Sequence, residues 1–102
     1  MKQSAGPFLI RAKIPPNYKV GPNWQTTTVY ITVLSGTYLI GEGDVFNVHH
    51  GKIGTKTGAV VIIPKNTRHY FWSINGAMLQ IQGIGPWEIH YVNPADDPRK
   101  KL

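Results

Sequence analysis

Eleven glycines and eight prolines are scattered without a period through 102 residues, and they cut the chain into segments too short for a long helix. What lies between them is β-forming. In TTTVYITVL, from Thr26 to Leu34, Val29, Ile31 and Val33 share one face and Tyr30 and Thr32 the other. Phe8, Ile10, Ala12 and Ile14 alternate with Leu9, Arg11 and Lys13, the pattern of a half-buried strand that Pro15 and Pro16 end. Further strands are predicted at Thr37–Ile40, near Val45–His49, and at Ala59–Ile63, Arg68–Ser73, Ala77–Gln82 and Glu88–Val92. Ala59–Ile63 is apolar throughout, which suits a strand covered on both sides, and Pro64 stops it. Asn17–Pro22 reads as a turn-rich connection, His50–Thr57 as a polar loop, and Asn75-Gly76 as a hairpin turn. About eight short strands, with no amphipathic helix and no internal repeat, predict an all-β sandwich or barrel.

One domain accounts for residues 1–102, its barrel running from about Gly6 to Val92 and residues 93–102 forming a polar basic tail. The absence of cysteine excludes disulfides, thiolate metal ligands and a cysteine nucleophile. Of the net charge of +6, Lys2, Arg99, Lys100 and Lys101 hold four units, leaving +2 spread over the body. No recognition helix or single-strand stacking motif accompanies that charge, so it reads as solvated surface and nucleic acid is not expected as a partner. The opening MKQSAGPFLIRAKI is interrupted at Arg11 before it reaches the roughly 7–15 apolar residues of a secretory signal. No run approaches the roughly 18 apolar residues of a membrane span, and a soluble, cytoplasmic protein is expected.

Gly58, Pro64, Asn66 and His69 stand at a telling spacing: glycine, five residues, proline, one residue, a turn residue, two residues, histidine. Gly58 lets the chain turn into a strand, Pro64 stiffens a turn, and position 66 needs positive φ, for which asparagine is the next-best residue after glycine. This resembles the second motif of the cupin superfamily, departing at Asn66, where the family has glycine, and at Ser73, where it has asparagine, and the resemblance implies that the histidine points into the barrel. The runs IRAKIPPNYKVGP, TVLSGTYLIGEGD and QGIGPWEIHYVNPADDPRKK are similar to small single-domain bacterial cupins of uncharacterised function, nearly the whole chain from Gly6 onward. The resemblance implies a cupin-type jelly roll, or double-stranded β-helix. It also implies a homodimer, for which Phe8–Ile14 would offer an edge strand.

The first motif of that superfamily carries two histidines and a glutamate and ends in a turn glycine. Gly36 fits the glycine, and counting back puts Val29 at the glutamate, Gln25 and Asn23 at the histidines, and Asn17 at the leading glycine. Neutral amides favour hard ions and valine offers no donor. His69 is thus the only retained ligand position, and no metal cofactor is expected, a divalent ion being the lesser alternative. His49 and His50 are neighbours that point oppositely on a strand, and His90 lies near the end of the last strand, so all three read as structural or solvated. Among the acids Glu42, Asp44, Glu88, Asp96 and Asp97, none falls on a predicted inward position, and spacing supplies no acid partner for His69.

Extending the inward register, Asn23, Gln25, Val29, Ile31, His69 and Phe71 are predicted to line a cavity. Gln80 and Gln82 alternate with Leu79 and Ile81, and one of the two pairs faces that cavity; the glutamines are taken as part of it. A largely apolar pocket with a few amides and one imidazole suits a small molecule, uncharged or weakly acidic, and binding is expected in preference to catalysis. The alternatives are a metal-dependent cupin enzyme, a dioxygenase or isomerase, and an interaction module using the basic surface. Trp24, Trp72 and Trp87 read as packing or interface residues, the first two on the outward parity.

Overall fold

The computed structural model describes residues 5–50 and 52–98. Its strands are β1 (Gly6–Ile14), β2 (Tyr18–Gln25), β3 (Val29–Gly36), β4 (Tyr38–Glu42), β5 (Lys52–Thr55), β6 (Val60–Ile63), β7 (His69–Ser73), β8 (Ala77–Gly85) and β9 (Ile89–Tyr91). They form two antiparallel sheets facing one another, one in the order β1-β8-β3-β6 and the other β5-β4-β7-β2-β9. Apart from the β4–β5 pair, consecutive strands alternate between the sheets, which is the jelly-roll arrangement.

The predicted alternation places the core. On the four-stranded sheet, Ile10, Ile81, Ile31 and Val61 form one inward rung, and Phe8, Gly83, Val29 and Ile63 the next. Val29, Val33, Ile63 and Leu79 are buried there, facing Tyr38 and the partly buried Phe71 of the other sheet. Burying each large aliphatic side chain contributes about 1.5–3 kcal/mol. Tyr38 is fully enclosed, and burial pushes its hydroxyl far above the usual phenol range.

Several local readings give way to long-range pairing. Asn75-Gly76 is not a hairpin turn: β7 and β8 lie in different sheets, and β8 pairs with β1 and β3 instead. Gly76 has φ of +88° and Asn75 is not in the left-handed region, whereas a tight hairpin of the asparagine-glycine type places both there. Tyr18–Pro22, read as a connection, belongs to β2. Val20 pairs with Phe71 but Asn23 with His69, so one extra residue is taken up between them in a bulge that accommodates Pro22, which has no N–H to donate.

No strand forms at Val45–His49, because that segment folds over the five-stranded sheet and ends in a 3-10 turn at Val48–His50. Phe46 packs there on Tyr70 at 4.7 Å and Trp72 at 5.4 Å, and the Tyr70 hydroxyl donates to the Asn47 carbonyl at 2.7 Å. The strand comes later, as β5 within the expected loop, paired to β4. Asn93, taken as the start of a polar tail, caps a short 3-10 turn at Pro94–Asp96 that contacts β2, and Asp97 is buried. Lys2, Arg99, Lys100 and Lys101, which carry the terminal charge, lie outside the described residues. No helix among the described residues is long and apolar enough to cross a membrane.

Candidate functional site

The loop from β6 to β7 delivers His69. Gly58 has φ of +91° and Asn66 φ of +64°, the left-handed conformations that the motif spacing requires. Asn17, at the leading position of the first motif, has φ of +59°, and Gly36 has φ of +85°. The Thr67 N–H donates to the Pro64 carbonyl at 3.2 Å, closing the turn, and the Asn66 N–H donates to the Gln25 carbonyl at 2.8 Å, tying the loop to β2. His69 then opens β7 with its side chain inward and only 2% exposed. Its Nδ1 lies 3.2 Å from the Thr67 carbonyl, so the proton sits on Nδ1 and Nε2 is left as an acceptor. Burial pushes the imidazole below its ordinary range, while the Thr67 bond and the Glu42 carboxylate pull the other way.

Of the four ligand positions, His69 alone presents a strong donor to a metal. The Asn23 amide N–H groups reach the Gly21 carbonyl at 2.9 Å and the His69 carbonyl at 3.3 Å, so the side chain stitches the bulge of β2 to β7. Gln25 accepts from Trp87 Nε1 at 3.0 Å through the oxygen that a metal would need, and Trp87 is stacked on Phe8 at 5.0 Å. Val29 is core. Two amides held by other partners, a valine and one imidazole do not fit the first-row ion this position holds in the metal-binding members implied by the sequence resemblance. Among the described residues no group of three or more histidine or acidic side chains could hold one either. His49 is exposed; His90 pairs with Glu88 at 3.4 Å and stacks on Trp24. Trp24 and Trp72 lie on the outer face of their sheet, Trp24 under the Arg68 guanidinium at 4.7 Å.

A cleft of about 400 Å³ opens beside His69, between β4 and β6. Ile40, Val61, Ile63 and Pro64 supply apolar wall, and Glu42, Thr67 and His69 form its polar part. Of the side chains predicted to line a cavity, His69 borders this cleft. Asn23, Gln25, Val29 and Ile31 are buried in the interior away from its wall, and Phe71 packs on Tyr38 at 5.1 Å. Gln80 and Gln82 are corrected outright. Leu79 and Ile81 take the inward positions, and the glutamines lie on the outer face, where Gln80 accepts from Arg11 at 3.2 Å and donates to Gln82 at 3.4 Å. Turning that pair inward would exchange two core aliphatics for amides with no partners.

Glu42 is the residue that spacing missed. The strand predicted at Thr37–Ile40 continues through Gly41, and Glu42, not expected at an inward position, stands directly opposite His69 in the β4–β7 ladder, so both side chains project to the same face. The strand can run on because the Tyr70 ring lies against Gly41, where a side chain would collide with it. Its signal in the sequence was parity: Tyr38, Ile40 and Glu42 alternate on one face once the glycine is admitted to the strand.

The sequence matches no protein-family profile and no curated protein. The fold does find counterparts. A cupin-2 domain protein from Shewanella frigidimarina superposes with a TM-score of 0.65 at 15% identity, over 81% of this chain and 74% of the other. This chain has the cupin fold. The polyketide cyclase RemF from Streptomyces resistomycificus superposes on the cupin barrel with a TM-score of 0.73 at 18% identity, over 95% and 68% of the two chains. Salicylate 1,2-dioxygenase from Pseudoaminobacter salicylatoxidans, solved as an adduct with gentisate, gives 0.69 at 6% identity over 83% of this cupin barrel and 24% of the larger enzyme. At such identities the likeness concerns architecture.

Proposed function

We propose that this cupin barrel binds a small molecule in the cleft beside His69, at a site that has lost the metal ligands of its ancestors. The observation that carries the reading is the cleft: about 400 Å³, with apolar walls on β4 and β6 and an imidazole whose Nε2 has no hydrogen-bond partner among the described residues. That volume falls at the lower end of the roughly 300–1,000 Å³ of small-molecule sites, and the mixture of apolar wall and few polar groups is theirs as well. The gentisate adduct of the dioxygenase neighbour supports the reading, since a small organic molecule meets that protein too.

A thermal-shift screen of small organic molecules on wild type and His69→Ala tests it. A ligand present at 100 times its dissociation constant stabilises the fold by about 2.7 kcal/mol. The expected hit stabilises wild type and loses most of that effect in the variant. Hits that stabilise both proteins equally would remove His69 from the site.

Glu42 opposite His69 favours a second reading, metal-free proton transfer of the isomerase kind, because two groups that can each take up a proton and return it border the same cleft. Turnover of a bound ligand, lost in both His69→Gln and Glu42→Gln, would distinguish it from simple binding. An interaction module working through the basic surface would instead bind DNA or RNA with an affinity that collapses as salt rises, whereas cleft binding responds weakly. For assembly we propose a homodimer, which the position of β1 at the edge of its sheet permits.

A further inference from the structure

We infer that the polar end of the cleft selects a donor head, a protonated amine carried on a compact apolar body, and rejects carboxylates. The inference rests on the cleft being a ligand site and concerns which chemistry it takes. It corrects the expectation of an uncharged or weakly acidic ligand, which assumed that no carboxylate faces inward.

The direction of each hydrogen bond at that end decides the matter. His69 gives its Nδ1 proton to the Thr67 carbonyl at 3.2 Å, so what it shows the cleft is the Nε2 lone pair. Glu42, directly across the ladder and bordering the same cleft, adds an acceptor-only carboxylate. The backbone donors of the adjoining turn are already used, the Asn66 N–H on the Gln25 carbonyl and the Thr67 N–H on the Pro64 carbonyl, and Pro64 has none. The Gly43 N–H, next along from Glu42, donates to the Arg68 carbonyl at 3.0 Å. Arg68 itself, the cation adjacent to His69 in sequence, is turned away onto Trp24 and Asp44. Apart from the Thr67 hydroxyl, the end of the cleft therefore offers acceptors and a negative charge. A ligand carboxylate there would meet the exposed carboxylate of Glu42 and the imidazole lone pair with only the Thr67 hydroxyl to answer it, an unfavourable juxtaposition of like charges. An ammonium group satisfies both acceptors at once, one bond being charge-assisted on both sides.

Benzylamine, benzyl alcohol and benzoate share one ring and differ in the head, which makes them suitable probes. Each is titrated near neutral pH into isotopically labelled wild type and Glu42→Gln, following the amide resonances of Ile40, Glu42, Val61, Thr67 and His69. Benzylamine should bind roughly tenfold more tightly than benzyl alcohol, the usual margin of an ionic over a neutral hydrogen bond, with benzoate weakest. Glu42→Gln should erase the preference for the amine while leaving the alcohol's affinity in place, which also shows that the variant is folded. Benzoate binding as well as the amine, or amine affinity unchanged in Glu42→Gln, overturns the inference. Should the alcohol move these resonances with the amine no better, the inference falls and the cleft stands as a site. Should none of the three move them at millimolar concentration, both fall.

Discussion

Replacing Gly41 with alanine tests how β4 is held against β7, and so how Glu42 comes to face His69. On general grounds a glycine within a strand is a weakness, and alanine would stabilise by about 0.4–1 kcal/mol by restricting the unfolded chain. Here the sign is reversed by contact. A methyl group at Gly41 would overlap the ring of Tyr70, which is fully buried, lies 4.7 Å from Phe46 and is stacked at 6.2 Å on Trp72. Overpacking of this kind costs about 1–3 kcal/mol. Moving the ring also weakens the Tyr70 hydroxyl bond to the Asn47 carbonyl at 2.7 Å, worth about 1 kcal/mol. The expected net loss is about 2–3 kcal/mol, which for a domain of this size lowers Tm by roughly 10–20 °C. Urea unfolding followed by tryptophan fluorescence measures it, Trp72 being close enough to Tyr70 to report the change. Tyr70→Phe, which loses the hydroxyl bond and keeps the ring, is the control and should cost about 1 kcal/mol. A Gly41→Ala variant as stable as wild type would refute the close packing of that ring and the continuation of β4 through Gly41 that rests on it.

Two further outcomes are expected, one from the burial of His69 and one from the proposed dimer. His69 is held below its ordinary range chiefly by burial, so as pH falls through about 6.5 the unfolded chain takes up a proton that the folded one refuses, and stability drops with it. His69→Gln should flatten the fall in unfolding free energy below neutral pH, and Glu42→Gln should steepen it by removing the carboxylate that favours the imidazolium; the reverse ordering would refute the pairing. Sedimentation equilibrium should give twice the chain mass of 11.4 kDa, and a monomer at tens of micromolar would refute the proposed dimer.

Period-2 alternation is a local property, and where it runs unbroken the chain declares its own faces. Val29, Ile31 and Val33 turn inward as their spacing requires, and Leu9 and Tyr30 turn outward. The left-handed positions at Asn17 and Asn66 are local too, since few residues accept positive φ. From these a sandwich or barrel was legible before any pairing was known, and the resemblance of the Gly58–His69 spacing to a known motif added the inward aim of His69. What neighbours to pair was not legible, because a strand's partner is chosen by the core it completes and not by its own residues. That choice sent Asn75-Gly76 across between sheets, absorbed Gly21 and Pro22 into a bulge, and turned Gln80 and Gln82 to the surface because Leu79 and Ile81 had the better claim to the interior. It also set Glu42 opposite His69, two residues 27 positions apart on strands whose register depends on Tyr70 lying over Gly41. The fold rests on patterns within a strand, and the chemistry of the cleft on a contact between strands, which only the folded chain can bring about.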